Sequence, residues 1–369
     1  MKVLIVSGNY YPVLSPRSFR TTELARETVR QGHRVSVYIP EIPESKMDYK
    51  GELSDYGVEV KQFSKNRFKK ININYPYFGK LFHKINRLLD LLFEYPMIEL
   101  FFKVKNTLKK EQEQYDLIIS IAYPYPIHWG VARAISKKPD LCKRWIADCG
   151  DPYMGATIET FRKPFYFKYV EKWFCRKADY LSVPTVGAID GYYPEFKDKI
   201  RVIPQGFRMD TIKLSSEKVC NKVPTFAYAG GISFGVRNPL PLLDYLIETD
   251  KTFKFVIYTN QKELLINYKR RIGDVLDIRD YVEREILLFE LSKMDFLLNL
   301  DNGTTRQSPS KLIEYAISGR PVLNLNVQNL NKELIDEFIK GDYRNALKMP
   351  NKEDYNIVNV TKKILNLAL

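Results

Sequence analysis

Cysteine and histidine are scarce in this 369-residue sequence, at four and three residues. Cys142, Cys149, Cys175 and Cys220 are scattered and form no C-x-x-C pair. Neither a disulfide framework nor a zinc spacing is present, so no metal site is expected, and buried free thiols in a reducing cytosol are. Long apolar runs are also missing: no stretch of about 18 uncharged apolar residues exists to span a bilayer. The longest candidate, Leu88 to Phe102, is broken by Asp90, Glu94, Pro96 and Glu99. At the start, Val3-Leu4-Ile5-Val6 is too short for the apolar core of a secretory leader, and no cleavage site follows. The expected location is cytoplasmic, with the inner face of the cytoplasmic membrane as a peripheral alternative.

What is present is an ordinary globular composition, 45% hydrophobic, in a chain long enough for two lobes. The formal net charge of +14 calls for an anionic partner: nucleic acid, a membrane surface or a phosphorylated ligand. Much of the excess lies between Lys61 and Lys110, where twelve Lys/Arg face three Asp/Glu among ten aromatic residues. Two readings fit this stretch. It lies against anionic lipid, with aromatics at the interface, or it is a helical excursion whose aromatics are core and whose lysines are solvated. No RNA-type basic-aromatic motif or reading helix accompanies the charge, so nucleic acid is not an expected partner.

The hydrophobic pattern is β-loop-α-β. Lys2 to Ser7 is a short apolar run of the buried parallel type, Ser18 to Gln31 a helix closed by Gly32, and Val35 to Ile39 a strand. Further strands are expected at Asp116–Ile121, Trp145–Ala147, Tyr180–Val183 and Ile200–Ile203, with helices at Ile127–Ser136 and Phe165–Lys177. A second series begins at Phe226–Ala229 and continues through Phe253–Tyr258, Phe296–Leu300 and Pro321–Leu325. The expected organisation is a first domain at 1–214, a polar linker at 215–224 and a second domain at 225–352. A terminal helix within 353–369 is expected to pack back on the first domain. In open parallel sheets ligands sit beyond the carboxyl ends of the strands, so two such domains facing each other would hold two substrates in a cleft.

The most informative segment is Ser308 to Leu323. Ser308 suits an N-cap, Pro309 the first helical position and Gly319 the C′ position. Lys311, a cation in the first turn, is unfavourable by about 0.3–1 kcal/mol unless an anion binds there. Glu314, three residues on, shares its face and suits paired ribose hydroxyls. Together they describe a nucleotide diphosphate; the alternative is a plain amphipathic helix with a Lys311–Glu314 surface ion pair. Gly230-Gly231 opens a loop in which Arg237 either grips phosphate or is merely solvated. Its spacing is not that of a dinucleotide fingerprint. In the first half, Asp148 and Asp151 follow a strand end; they orient acceptor hydroxyls or aid proton transfer, or Asp148 caps a turn. His128 either faces the same edge or is structural. Ser15-Pro16-Arg17 is placed to touch acceptor or donor phosphate.

These residues resemble glycosyltransferase family 4 of the GT-B type, the group that builds capsules, O-antigens and exopolysaccharides. The resemblance rests on Asn9-Tyr10-Tyr11-Pro12, Ser15-Pro16-Arg17, Gly32-His33-Arg34-Val35, Asp148 with Asp151-Pro152-Tyr153, Ile203-Pro204-Gln205-Gly206-Phe207 and, above all, Pro309 to Tyr315 with Gly319-Arg320-Pro321-Val322. It implies an α/β fold of two Rossmann-like, doubly wound parallel-sheet domains facing across a cleft. It also implies a UDP- or GDP-linked sugar as co-substrate, no other cofactor, no metal and retention of configuration. The acceptor is expected to be a cell-envelope glycan, such as lipopolysaccharide or capsule, or a polyprenyl-diphosphate-linked chain. The donor is expected on Gly230, Gly231, Arg237, Val282, Arg284, Ser308, Pro309, Ser310, Lys311, Leu312 and Glu314. Val282 to Arg284 would lie near the base. The acceptor is expected on Ser15, Pro16, Arg17, Asp148, Asp151 and Tyr153, with Arg237, Lys311, Asp151 and His128 serving the chemistry. Many family members carry a glutamate eight positions before Glu314, where this sequence has Arg306. Rival readings are a GT-B epimerase or hydrolase of nucleotide sugars and a non-catalytic partner subunit that binds them.

Overall fold

The computed structural model describes residues 1–13, 15–41, 56–71, 79–155, 162–215, 221–233, 237–301 and 310–369, without the side chains of Lys80, Ser310 and Lys311. The chain divides into two compact units, Met1–Phe207 with Asn356–Leu369, and Arg208–Tyr355.

The first unit is built on β1 (Lys2–Ser7), β2 (Arg34–Ile39), β3 (Glu59–Gln62), β4 (Tyr115–Ile121), β5 (Cys142–Asp148), β6 (Tyr180–Val183) and β7 (Ile200–Val202). They form one parallel sheet in the order β3-β2-β1-β4-β5-β6-β7. A parallel sheet covered on both faces needs strands apolar on both faces. Accordingly Val3, Leu4, Ile5 and Val6 are all fully buried, Leu4 and Val6 in one core and Val3 and Ile5 in the other. The first core is closed by α3 (Glu99–Lys110), α4 (Pro126–Lys137) and α5 (Phe167–Lys177) through Val104, Ile127, Val131 and Phe174. Gly130 lets α4 approach α3 closely, since a Cβ there would stand 2.6 Å from that of Val104. The second core is closed by α1 (Pro16–Arg30), through Leu24 and Ala25, and by the terminal helix α11 (Ile357–Asn366). That helix starts at Asn356, whose side chain accepts from the Val358 amide, and buries Ile357, Val360, Ile364 and Leu365 at helical spacing. Each such side chain contributes about 1.5–3 kcal/mol of burial.

The second unit carries β8 (Thr225–Ala229), β9 (Lys254–Tyr258), β10 (Leu276–Arg279), β11 (Phe296–Leu300) and β12 (Val322–Leu325), all parallel, in the order β10-β9-β8-β11-β12. Phe226 pairs in register with Phe255 and Phe296, and its ring stacks on both at 4.6 Å. This ladder fixes the centre of the sheet. The connecting helices are α6 (Leu240–Glu248), α7 (Ile266–Ile272), α8 (Arg284–Leu291), α9 (Ser310–Ser318) and α10 (Lys332–Ile339).

Both sheets reverse direction of growth beside their first strand, between β1 and β4 and between β8 and β11. The carboxyl ends at these switch points are where an open α/β sheet leaves a crevice.

The hydrophobic pattern missed β3, β10, α7, α8 and α10, whose short lengths carry little periodicity. It also shortened β5, because Lys143 and Arg144 at its start are exposed. The basic aromatic stretch divides: Phe63, Leu100, Val104 and Leu108 are core, whereas the helix α2 (Gly79–Phe93) has no buried side chain among those described.

Candidate active site

In the second unit, β8 ends at Ala229 and the chain turns at Gly230, whose φ of +155° disfavours any side chain. Four hydrogen bonds hold the turn. The Gly230 amide donates to Tyr258 O at 3.0 Å. The Tyr228 hydroxyl donates to Gly231 O at 2.8 Å. The Ile232 amide donates to Gln261 Oε1 at 2.6 Å. Finally, the Ala229 amide donates to the buried Tyr315 hydroxyl at 3.1 Å. Tyr315 belongs to α9, so this helix fixes the end of β8 directly. Ser233 and Arg237 exchange two backbone hydrogen bonds of 3.0 and 2.8 Å, returning Arg237 to the same edge.

Arg237 is half-buried, and among the described residues its guanidinium makes no hydrogen bond or ion pair. Its charge is felt at two phenols. Burial pushes Tyr228 up to about 12 and also raises Tyr281, with Arg237 opposing both. A half-buried cation with spare donors beside a glycine turn is suited to a multiply charged anion.

Glu314 lies on the face of α9, its carboxylate 16% exposed, and accepts from Arg284 Nε at 3.0 Å. Burial raises its pKa, and the Arg284 guanidinium opposes that. The described partner of Glu314 is thus a residue of α8. Leu312 packs against the core beside Tyr315 and Leu297, while Val282 is exposed just ahead of α8. Ser308 and Pro309 lie outside the described residues, as does Arg306, and so do the side chains of Ser310 and Lys311.

In the first unit, Ser15 is the N-cap of α1, its hydroxyl accepting from the Ser18 amide at 3.1 Å, and Pro16 opens the helix. One turn of α1 then delivers two cations to the end of β5. Arg20 is buried and donates from Nε and Nη2 to Asp148 Oδ2 at 2.9 and 2.6 Å. It also reaches the carbonyls of Ile203 and Pro204. Arg17 approaches Asp148 Oδ1 at 3.6 Å and stays partly exposed. Gly150, at φ +66°, makes room for it: a Cβ there would lie 1.5 Å from Arg17 Nη2. Asp148 is therefore neutralised twice over, and the cluster carries a net positive charge.

Asp151 is exposed, and its carbonyl accepts from the Tyr125 hydroxyl at 2.5 Å. Tyr153 is core: its ring packs on Tyr125, Trp129 and Phe167, and its hydroxyl donates to the buried Glu94 at 2.8 Å. His128 is completely buried, with Nδ1 2.7 Å from Ser120 Oγ. Trp145 Nε1 donates to the same oxygen at 2.8 Å, so Ser120 Oγ joins the two buried rings. Burial pushes the imidazole down to about 3, so the ring is neutral, and it encloses Nε2 as well. That atom has no partner among the described residues.

Sequence reasoning missed Arg20, Tyr315 and Gln261. Arg20 had a signal, since Arg17 and Arg20 are three apart and share a helix face. Tyr315 and Gln261 had none, because each acts on backbone from a distant element.

Residues 19–211, more than half of the chain, match the family model of Glycosyltransferase Family 4. No curated protein matches the chain in sequence. Among solved structures, the chain is similar to the apo form of the lipopolysaccharide outer core galactosyltransferase WaaB, at 14% identity and a TM-score of 0.60, covering 100% of this chain and 99% of that one. It is similar to Anabaena Alr3699/HepE in complex with UDP and glucose, at 12% identity and 0.59, covering 99% and 98%. It is also similar to a UDP-GlcNAc 2-epimerase from Methanocaldococcus jannaschii, at 13% identity and 0.53, covering 100% and 99%. At such identities the likeness establishes the fold, a GT-B arrangement of two Rossmann-like domains. With the family match over its first unit, the two parallel sheets and their shared strand order, this chain belongs to glycosyltransferase family 4 and is a glycosyltransferase.

Proposed function

We propose that the chain transfers a sugar from a UDP- or GDP-linked donor to a cell-envelope glycan or polyprenyl-diphosphate-linked acceptor, with retention of configuration and without a metal ion. The donor belongs to the second unit and the acceptor to the first. The observation that carries this reading is Arg237, a half-buried cation beside the Gly230-Gly231 turn with no acceptor among the described residues. HepE, which shares the fold, is seen with UDP and glucose, which favours a uridine nucleotide. WaaB acts on lipopolysaccharide outer core, which favours an envelope glycan.

In the proposed reaction the bond between the anomeric carbon and the diphosphate oxygen breaks. An acceptor hydroxyl oxygen forms the new bond to that carbon, and its proton passes to the departing phosphate. Arg237, Lys311 and the free amides at the start of α9 offset the charge that grows on the diphosphate. Glu314, held by Arg284, takes the ribose hydroxyls, with Val282 near the base. In the first unit Arg17, the net cation over Asp148, attracts the phosphate-bearing part of the acceptor, and Asp151 orients its hydroxyls.

A thermal-shift panel of UDP- and GDP-sugars tests the donor half. One nucleotide class should raise the melting temperature, and Arg237→Ala should abolish that shift and lower kcat by about 10²–10³, the cost of one oxyanion-type donor. No shift with any nucleotide sugar would sink the proposal. The fold shared with an epimerase supports a second reading, conversion of the nucleotide sugar alone. Product analysis with and without acceptor separates the two.

A further inference from the structure

We propose that the first unit docks on an anionic lipid bilayer through α2 (Gly79–Phe93) and the basic ribbon beside it. This inference is independent of the sugar chemistry. Along α2, Leu81, Ile85, Leu88, Leu89, Leu92 and Phe93 fall within one arc of the helix at 100° per residue. A helix patterned this way normally buries that arc. Here none of those side chains is buried, and Leu81, Leu88 and Phe93 are 50%, 53% and 56% exposed. The apolar surface continues across the fold. The Tyr166 hydroxyl bonds the carbonyl of Leu92, bringing Phe165 (77% exposed) and Tyr169 (62%) to the end of α2.

Two features set the face in place. The end of α2 is pinned by Glu94, which is buried at φ +55° and accepts from Tyr153 and Lys163. Beside the helix, residues 64–70 are all exposed, yet their backbone is clamped: the amides of Arg67 and Phe68 donate to the buried Glu99, and Lys103 Nζ donates to Ser64 O. Asn86 of α2 exchanges two hydrogen bonds with the backbone of Ile71. The ribbon therefore keeps Lys65, Arg67, Lys69 and Lys70 exposed on a held backbone, and a surface depression of about 560 Å³ is lined by Ser64, Lys65, Asn66, Arg67 and Lys69.

Exposed apolar side chains beside a ribbon of exposed cations match the two layers of an anionic membrane surface: acyl boundary and phosphate headgroups. The charge selects this occupant over a neutral apolar partner. With 15 residues, α2 is about 22 Å long, short of the roughly 30 Å hydrocarbon core, so it lies in the interface rather than crossing it.

Cosedimentation of the full chain with vesicles tests the proposal, using phosphatidylglycerol–phosphatidylethanolamine against pure phosphatidylcholine. Binding should appear with the anionic vesicles only and weaken with salt. The pair Leu81→Ser/Leu88→Ser should lower the partition coefficient about tenfold, as two interfacial apolar anchors are lost. Lys65→Gln/Lys69→Gln should lower it while leaving the melting temperature unchanged. No binding, equal binding to phosphatidylcholine, or unchanged partition of the leucine pair would each overturn the proposal. So would a lipid-free dimer that the leucine pair dissociates, since the face would then belong to a second copy. None of these readouts involves a sugar nucleotide, so failure here leaves the proposed transferase reaction untouched.

Discussion

Arg284 Nε stands 3.0 Å from Glu314 Oε1, joining the start of α8 to the face of α9. The pair is a positioning device: Glu314 is largely buried, burial favours its protonated form, and Arg284 counters that. Replacing Arg284 with methionine should raise the carboxyl pKa further. A protonated Glu314 loses an acceptor for ribose hydroxyls. The expected outcome is a donor KM that rises several-fold on the acid side of the activity profile and much less on the alkaline side, with kcat little changed. An equal rise on both sides would assign Arg284 a direct contact with the donor instead.

Arg20 and Asp148 form the corresponding fixture of the first unit, and both are buried. Among the described residues, Arg20→Met would leave Asp148 with only the 3.6 Å approach of the Arg17 cation. Removing one partner of a buried pair costs about 3–5 kcal/mol, read as a lower midpoint in urea denaturation. The double variant Arg20→Met/Asp148→Leu should recover a large part of that loss, because the charge then left without Asp148, that of Arg17, is partly exposed to solvent.

Glu171 gives the pH dependence. It is buried on α5, accepts from the Met154 amide at 3.4 Å, and its Oε2 has no partner among the described residues. Burial pushes its carboxyl from 4.5 up to about 7. Because the folded value is the higher one, the folded state binds the proton more tightly. The stability this contributes is complete below about 4.5 and lost as pH rises to about 7, amounting to about 3 kcal/mol. Glu171→Gln should flatten that fall and melt higher than wild type at about pH 8. Thermal melts across this range check it; parallel curves would count against the buried acid.

Tyr315→Phe isolates the link between α9 and the glycine turn. It leaves the Ala229 amide, now donating to Tyr315 at 3.1 Å, without an acceptor in a buried position. The expected destabilisation is about 1–3 kcal/mol. A looser Gly230-Gly231 turn should raise the donor KM more than it lowers kcat, whereas a purely structural role would lower the melting temperature and leave KM unchanged.

Much of the framework was legible because it is local. A run such as Val3-Leu4-Ile5-Val6 states that a strand is covered on both faces, and Ser15-Pro16 marks where a helix starts. The Gly230-Gly231 turn and Arg237 were legible for the same reason, since glycine reports backbone freedom without any partner. Arg20 was legible only as a face-mate of Arg17: on a surface helix an arginine reads as solvated, and the arrival of β5 and residues 203–204 around α1 makes it a buried staple. Helical spacing pointed to Lys311 as the neighbour of Glu314, which is as far as a local rule reaches. The described partner of Glu314 is Arg284, thirty residues earlier in the chain. The exposed arc of α2 was equally hidden, because amphipathic periodicity records which face is apolar and not whether anything covers it.

The sequence by itself determined two parallel-sheet units and the cationic residues near the strand ends of each. These follow from residue type and periodicity within single segments. Tertiary structure alone decided which charges are neutralised and which remain available: Arg20 is consumed by Asp148, Arg284 by Glu314, and Arg237 is left with its donors unengaged among the described residues. The physical reason is that a charge is defined as much by its desolvation and its partners as by its side chain. Both are set by elements far apart in the chain.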